Sequence, residues 1–167
     1  MKAVWNNYIL LMRLHRPLPI LLLLWPTYWA LWVAEKGVPS AKILIIFTLG
    51  VLLMRTAGCI FNDIADRNFD GNVERTKGRP LATGAIKTQH AVILGLGLCL
   101  LAFCLVLMLN TLTILLSFVA VLLALIYPLC KRFFAVPQFV LGLAFNFGVI
   151  MAFAAVLGHV SWFAWLL

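Results

Sequence analysis

Five long apolar segments alternate with short polar ones along the chain, and the start of a sixth closes it. They run from Leu18 to Ala34, Ala41 to Phe61, Ala91 to Leu109, Leu112 to Tyr127 and Gln138 to Leu157, with the sixth beginning near Ser161. Each segment approaches the ~20 residues that an α-helix needs to cross the hydrocarbon core of a membrane. The pattern therefore predicts an all-α fold, a polytopic transmembrane helix bundle with about five complete spans.

The polar breaks between these segments predict where the helices turn. Residues 35–40 form a turn in which Ser40 can cap the second span. Asn110–Thr111 predicts a tight turn between the third and fourth spans, and Tyr127–Pro128 predicts the end of the fourth. The sequence contains neither an internal repeat nor a low-complexity linker, so we expect residues 1–167 to form a single transmembrane domain.

Composition excludes a soluble domain. Of 167 residues, 65% are hydrophobic and 11% are charged, and the mean hydropathy is +1.08, whereas soluble domains carry about 25% charged residues. The first span resembles a signal peptide, but it contains Trp25 and Pro26 and lacks a clear small-residue cleavage site, so we interpret it as a retained helix. The four cysteines lack metal-ligand spacing and are expected to be small buried hydrophobes.

The net charge of +8 could suggest a nucleic-acid partner, but the distribution of basic residues favours a membrane orientation instead. The turns on one side of the predicted bundle contain Lys36 and Lys42. Arg55 lies inside the second span. The other ten basic residues fall on the opposite side, namely Lys2, Arg13, Arg16, Arg67, Arg75, Lys77, Arg79, Lys87, Lys131 and Arg132. This asymmetry predicts a cytoplasmic N-terminus and no nucleic-acid partner.

Residues 62–84, called here the polar segment, contain four of the five acidic residues of the chain. If the second helix continues past Phe61, spacings of three and four residues place Asp63, Asp66 and Asp70 on one face. Carboxylates this close repel one another, and a divalent cation would remove that cost. Oxygen ligands of this kind suit Mg²⁺, which commonly bridges a few carboxylates to substrate phosphates.

The basic residues of the polar segment leave two interpretations open. Arg67, Arg75, Lys77 and Arg79 alternate with the acids, so the segment could be a surface loop held by salt bridges, or its arginines could bind a phosphate group. Arg55 lies seven residues before Asn62, inside the second span. A charged side chain at that depth of the membrane costs free energy, so Arg55 is either a functional residue or one member of a structural ion pair.

The motif NDxxDRxxD (residues 62–70) followed by RTxxRPL (residues 75–81) resembles the first aspartate-rich motif of the UbiA superfamily of membrane prenyltransferases. Arg16–Pro17 with LLLLWPTYWAL beyond it is similar to the first helix of that family. YPLCKRFFAVPQFVLGLAF (residues 127–145) is similar to the segment joining its fourth and fifth helices. The bacterial branch that prenylates 4-hydroxybenzoate is the most similar.

Two departures from the family pattern affect what this resemblance implies. The family carries a second aspartate motif between its sixth and seventh helices, whereas this chain has no acidic residue after Glu74. The chain therefore resembles the first three fifths of a family member, and residues 1–167 alone are expected to insert in the membrane without catalysing prenyl transfer. Asn146–Phe147 also stands where a Gly-Trp-like pair is expected.

The resemblance implies a bacterial inner-membrane enzyme whose active site faces the cytoplasm. It would transfer a polyprenyl group from polyprenyl diphosphate to the ring carbon ortho to the hydroxyl of 4-hydroxybenzoate, a step of ubiquinone biosynthesis. Membrane lipid would be its other partner. Alternatives are a prenyltransferase for another aromatic or quinone-precursor acceptor, a polytopic transporter and a non-catalytic membrane subunit.

Within that interpretation, physical reasoning gives each polar residue a role. Asn62, Asp63, Asp66 and Asp70 would bind Mg²⁺, and Asp66, Asp70 and Arg67 would act in catalysis. The diphosphate would be neutralised by basic residues, namely Arg67, Arg75, Arg79, Lys131 and Arg132. Arg55 would bind the carboxylate of the acceptor. Lys131 and Arg132 could instead be positive-inside anchors without contact to the substrate.

Overall fold

The computed structural model of the chain describes residues 2–71, 73–133 and 137–167, with backbone alone for residues 2, 3, 128, 129, 131–133 and 137. Across these ranges there are seven helices and no strand. They are α1 (Lys2–Leu11), α2 (Leu18–Glu35), α3 (Ala41–Asp70), α4 (Thr88–Val106), α5 (Thr111–Phe133), α6 (Pro137–Leu157) and α7 (Phe163–Leu166).

The predicted all-helical membrane bundle is confirmed. Helices α2, α3, α4 and α6 are long and apolar enough to cross a membrane, and the apolar part of α5, Thr111–Tyr127, is somewhat shorter. The predicted turns are also present. Ser40 caps α3, where its hydroxyl accepts a hydrogen bond from the backbone N–H of Ile43. Asn110 immediately precedes α5, as expected.

Helix boundaries differ from the hydrophobic pattern in three places. Helix α5 continues past Tyr127–Pro128 to Phe133, so the predicted end of this span is wrong. A proline removes one backbone hydrogen bond, which a helix can tolerate when its neighbours remain paired. Helix α3 extends nine residues past Phe61, to Asp70, and the ten-residue α1 precedes the first span.

The five long helices form a ring. The most extensive contacts join α3 to α4, α5 to α6, and α6 back to α2, while α2 with α3 and α4 with α5 complete the circuit. Two small residues permit the close approaches: a Cβ atom on Gly148 of α6 would lie 2.8 Å from Thr27 Oγ1 of α2, and one on Gly95 of α4 would lie 3.0 Å from the Phe61 ring of α3.

Polar side chains tie the helices together at the end of the bundle remote from the polar segment. The Asn110 amide donates to the backbone carbonyls of Ala154 (2.6 Å) and Ala155 (3.2 Å) in α6. Its carbonyl oxygen accepts from the backbone N–H and the hydroxyl of Thr113. Both polar atoms of the Asn110 side chain are thus paired, which is required where water is scarce.

At the opposite end, α1 and the polar segment pack onto α3 and α4. Leu11 of α1 and Leu81 and Ile86 from the polar segment and its continuation form a buried cluster with Ile60 and Ala91. This cluster holds the polar segment against the end of the bundle, which brings its charged residues close to the last turns of α3.

Candidate active site

A cavity of about 350 Å³ lies inside the ring and receives side chains from α2 through α6. Most of its walls are apolar, with Phe47, Met54, Val106 and Met151 among the lining residues. On α3 the lining reaches from Ile46 to Asn62, a rise of about 24 Å at 1.5 Å per residue. The cavity is therefore elongated along α3, a shape suited to an extended hydrocarbon chain.

One end of this cavity is polar. Arg13, Arg55 and Asn62 line it, and they converge from the segment after α1 and from two successive levels of α3. The arrangement joins cationic and amide groups to an apolar chamber, so it can accommodate a molecule with an anionic head and a hydrocarbon tail. Such clefts with a few convergent polar groups are the usual form of a small-molecule site.

The last turns of α3 present two stripes of polar residues. At 3.6 residues per turn, Arg55, Asn62 and Asp66 fall within about 40° of one another, and Asp70 and Asp63 lie about 40° and about 60° beyond Asp66. The first stripe includes the cavity-lining residues of the polar end. The second stripe faces the arginines described next.

Asp63 and Asp70 are joined by an arginine network. Arg79 Nη1 lies 2.7 Å from Asp70 Oδ2 and 3.1 Å from Asp63 Oδ1. Arg13 also donates to Asp63 Oδ1. The Asp63 side chain is only 2% exposed, and its two cationic partners offset the cost of burying the charge. Thr76 donates from its hydroxyl to the backbone carbonyl of Asp70 (3.0 Å), which folds the polar segment back toward α3.

Asn62 and Asp66 belong to the first stripe and contact each other. The Asn62 amide nitrogen donates to Asp66 Oδ2 at 3.3 Å, and both side chains are partly exposed. Their carbonyl and carboxylate oxygens are donors of the type that Mg²⁺ prefers. Within the described ranges, no three His, Cys, Asp or Glu side chains are grouped so as to hold a metal ion. The side-chain oxygens of Asn62 and Asp66 thus fit a Mg²⁺ ion whose remaining ligands are substrate phosphates and water.

The other predicted site residues take several positions. Arg67 is exposed and donates to the backbone carbonyl of Ile64, and Arg75 is exposed on the polar segment. Arg79 is engaged with both aspartates. Lys131 and Arg132 lie in the last turn of α5, and their side chains fall outside the described residues. Metal and diphosphate assignments for these side chains stay predictions.

Arg55 lines the cavity and makes neither a salt bridge nor a hydrogen bond to the described part of the chain. The structural ion pair considered for it is therefore not formed with Asp63, Asp66 or Asp70, although Asp63 and Arg13 are near enough to influence it electrostatically. A half-buried guanidinium at the polar end of an apolar cavity is well placed to bind an anionic group.

Arg13 is a residue of the site, although the sequence analysis used it only to predict the orientation of the bundle in the membrane. Its backbone adopts the left-handed region, with φ of 54°, which is uncommon for a residue other than glycine. The turn directs its guanidinium toward Asp63 and the cavity. Such backbone outliers often occur at functional sites, but residues 11–17 contain no glycine or asparagine that would predict the turn.

Comparison with known proteins agrees with this architecture. Residues 23–167 match the model of the UbiA prenyltransferase family. The chain is 61% identical over 161 residues to the 4-hydroxybenzoate octaprenyltransferase of Nitrosospira multiformis, a match that covers 96% of this chain and 56% of that protein. It is 57% identical over 165 residues to the enzyme of that name from Francisella tularensis subsp. novicida, covering 99% and 58%. The chain thus spans somewhat more than half the length of these relatives.

Solved structures share the fold. A UbiA homologue from Aeropyrum pernix K1, solved without ligand, superposes with a TM-score of 0.78 at 28% identity, covering 90% of this chain and 55% of that one. A UbiA homologue from Archaeoglobus fulgidus bound to DMAPP and Mg²⁺ superposes with a TM-score of 0.69 at 19% identity, covering 92% and 54%. With its family match over most of its length, this chain belongs to the UbiA prenyltransferase family.

Proposed function

We propose that the chain carries the diphosphate-binding part of an enzyme that transfers a polyprenyl group to 4-hydroxybenzoate, a step of ubiquinone biosynthesis. The observation that carries this proposal is the cavity with one polar end, where Arg13, Arg55 and Asn62 meet an apolar chamber. The names of the relatives from N. multiformis and F. tularensis support the choice of acceptor and prenyl donor.

The hydrocarbon chain of the donor would occupy the apolar part of the cavity. Its walls come from five helices and include several flexible or aromatic side chains, such as Met54, Met151 and Phe47. Burial of a polyprenyl chain there is favourable by roughly 25 cal/mol per Å² of apolar surface removed from water. The same apolar walls keep water from the reacting carbon.

Asn62 and Asp66 would hold Mg²⁺ together with oxygens of the substrate diphosphate, because Asn62 lines the polar end of the cavity and its side chain contacts Asp66. When bound, this ion supplies positive charge that favours departure of the diphosphate. Asp63 and Asp70, also predicted as ligands, would first have to exchange their arginine partners for the metal.

The basic residues would stabilise the negative charge that develops on the leaving diphosphate. Arg67 and Arg75 are exposed and could turn toward it. Arg13 and Arg79 already lie beside the last turns of α3. Lys131 and Arg132, at the end of α5, are proposed to add to this positive field.

Arg55 would bind the carboxylate of 4-hydroxybenzoate and orient its ring toward the reacting carbon of the prenyl group. The ring carbon ortho to the hydroxyl attacks as the bond between the prenyl carbon and the diphosphate oxygen breaks. A carbon–carbon bond forms, diphosphate leaves with the bonding electron pair, and the ring would then regain its aromaticity by transferring a proton to the released diphosphate. The residues named above position both substrates for this exchange.

The experiment uses a chimera in which residues 1–167 are continued by the remaining part of the N. multiformis relative, because the chain spans 56% of that protein. Bacterial membranes containing the chimera are supplied with Mg²⁺, polyprenyl diphosphate and radiolabelled 4-hydroxybenzoate. We expect a prenylated product whose formation stops when EDTA is added. Absence of product from membranes in which the chimera is correctly inserted would overturn the proposal.

The Asp66→Asn variant tests the metal-binding role. Loss of one carboxylate donor should abolish Mg²⁺-dependent turnover while membrane insertion remains normal. Glu74→Gln is the matched control, because Glu74 belongs to the same polar segment but its side chain is 87% exposed and, in the described part of the chain, forms an ion pair with Lys77 alone. Turnover of Asp66→Asn that equals that of the control would remove Asp66 from the metal site.

A further inference from the structure

Helix α1 has two faces with different surroundings. Leu11, together with Tyr8 and Met12, packs against Ile60 and Ile64 of α3. Trp5 and Ile9 lie roughly 120–160° round the helix from Leu11, and they are 68% and 39% exposed. Asn6 is also exposed and lies roughly 60° round the helix from Ile9. The exposed face therefore combines two large apolar side chains with one polar side chain, and no described residue covers it.

The position of α1 restricts what can cover this face. Only residues 12–17 separate α1 from α2, which is apolar enough to span a membrane. The helix also packs at Ile60 and Ile64, where α3 leaves its apolar section and enters the stripes of aspartates. Both constraints hold α1 at the level where the hydrocarbon layer meets the headgroups.

Along the sequence, the charged residues in α1 and directly after it are all basic. The first acidic residue of the chain is Glu35, whereas Lys2, Arg13 and Arg16 lie in or directly after α1. Arg13 pairs with Asp63, but Arg16 is exposed. A basic segment with an exposed tryptophan and aliphatic side chains matches the composition of helices that lie in the membrane interface.

We propose that α1 is an interfacial helix whose Trp5 and Ile9 face is seated among anionic phospholipids, with Arg16 contacting their headgroups. The opposite face of α1 packs against α3 and so fixes the turn that contains Arg13. One face of α1 therefore contacts lipid, and the other supports the Arg13–Asp63 pair. This inference concerns a lipid-binding surface and does not depend on the proposed prenyl transfer.

Site-directed spin labelling tests the location of the exposed face. In a variant with Cys59, Cys99, Cys104 and Cys130 replaced by alanine, single cysteines are introduced as Trp5→Cys, Ile9→Cys and, as an aqueous control, Glu74→Cys. The chain is reconstituted in nanodiscs of phosphatidylcholine with phosphatidylglycerol at a ratio of about 3:1. Accessibility of each nitroxide to oxygen and to a water-soluble nickel chelate is measured.

We expect labels at positions 5 and 9 to be more accessible to oxygen than to the nickel chelate, and the label at position 74 to show the reverse. Labels at 5 and 9 that match position 74 would overturn the proposal, since α1 would then lie in water. Labels shielded from both reagents, or broadened by a neighbouring label, would overturn it by showing that protein covers the face.

Arg16→Gln tests the headgroup contact, with Lys36→Gln as its matched control. Both side chains are exposed, but Lys36 lies at the other end of α2. When phosphatidylglycerol is removed from the nanodiscs, the label at position 9 should become more accessible to the nickel chelate in the parent and in Lys36→Gln. Arg16→Gln should show at most half of that change, and an unaltered response would overturn the role of Arg16.

Discussion

The Arg13 guanidinium donates a hydrogen bond to Asp63 Oδ1, across fifty residues of sequence. Asp63 is almost completely buried and shares the same oxygen with Arg79. Arg13 reaches it from a left-handed turn after α1. The pair therefore connects the segment before the first span to the polar end of the cavity, and it makes the stability of this region depend on Arg13.

Arg13→Ala should lower the stability of the bundle. Removal of one partner of a buried ion pair costs about 3–5 kcal/mol, and since Arg79 still contacts Asp63 we expect a loss of about 1–3 kcal/mol. The midpoint of thermal unfolding in detergent measures the effect. Lys77→Ala is the control, because the Lys77–Glu74 pair is exposed and should contribute nothing measurable. Equal melting temperatures for both variants would contradict the prediction.

Arg79→Ala should loosen the polar segment. In the described part of the chain, Arg79 is the residue that contacts both Asp63 and Asp70. Without its positive charge, the two nearby carboxylates would repel each other more strongly. Backbone amides of residues 76–86 should exchange hydrogen faster, as measured by mass spectrometry. Arg75→Ala, in the same segment but exposed, should leave the exchange unchanged. Similar exchange in both variants would assign the packing of this segment to its apolar residues.

Gly148→Ala should destabilise the contact between α2 and α6 by about 1–3 kcal/mol, because the new Cβ would approach Thr27 Oγ1 within 2.8 Å. Gly97→Ala is the control. Nothing lies within 4 Å of its Cβ position, so the better helix propensity of alanine should stabilise α4 by up to about 1 kcal/mol. Thermal unfolding should move in opposite directions for the two variants, and Thr27→Ala should partly rescue Gly148→Ala.

Arg55→Ala, made in the chimera used for the activity assay, should raise the KM for 4-hydroxybenzoate. A hydrogen bond to a charged group contributes about 1.5–3 kcal/mol, which corresponds to an increase of at least about tenfold. The KM for polyprenyl diphosphate should change much less. Arg55→Lys keeps the charge and should recover part of the loss. The reverse pattern of KM values would assign Arg55 to the diphosphate.

The polar segment and the turn before α3 should face opposite sides of the membrane. Single cysteines are introduced as Lys77→Cys and Lys36→Cys in the background without native cysteines. A membrane-impermeant maleimide added to intact spheroplasts should label only Lys36→Cys, and in inverted vesicles it should label only Lys77→Cys. Labelling of both positions from the same side would refute the orientation predicted from the basic residues.

The five long helices followed directly from the pattern of apolar residues, whereas α1 did not. A segment in lipid must satisfy its backbone hydrogen bonds internally, so an apolar run of about twenty residues has few structures open to it. The cap at Ser40 and the turn at Asn110 were also predicted, because capping and turn formation depend on residues close in sequence. The α5 boundary was misjudged at Pro128, since neighbouring helices can retain a helix through a proline that would end it in isolation.

The positions of the aspartates around α3 could also be predicted from their spacing, because a helix fixes the angle between residues three and four positions apart. The residues that pair with those aspartates could not be predicted in this way, because some of them are distant in the sequence. Either a salt-bridged loop or a set of metal ligands was compatible with the same charges. Folding of the polar segment onto α3 decided that Arg79 bridges Asp63 and Asp70, and packing of Leu11 against Ile60 brought Arg13 to Asp63. Contacts between distant segments depend on the packing of the whole bundle, which no short stretch of sequence specifies.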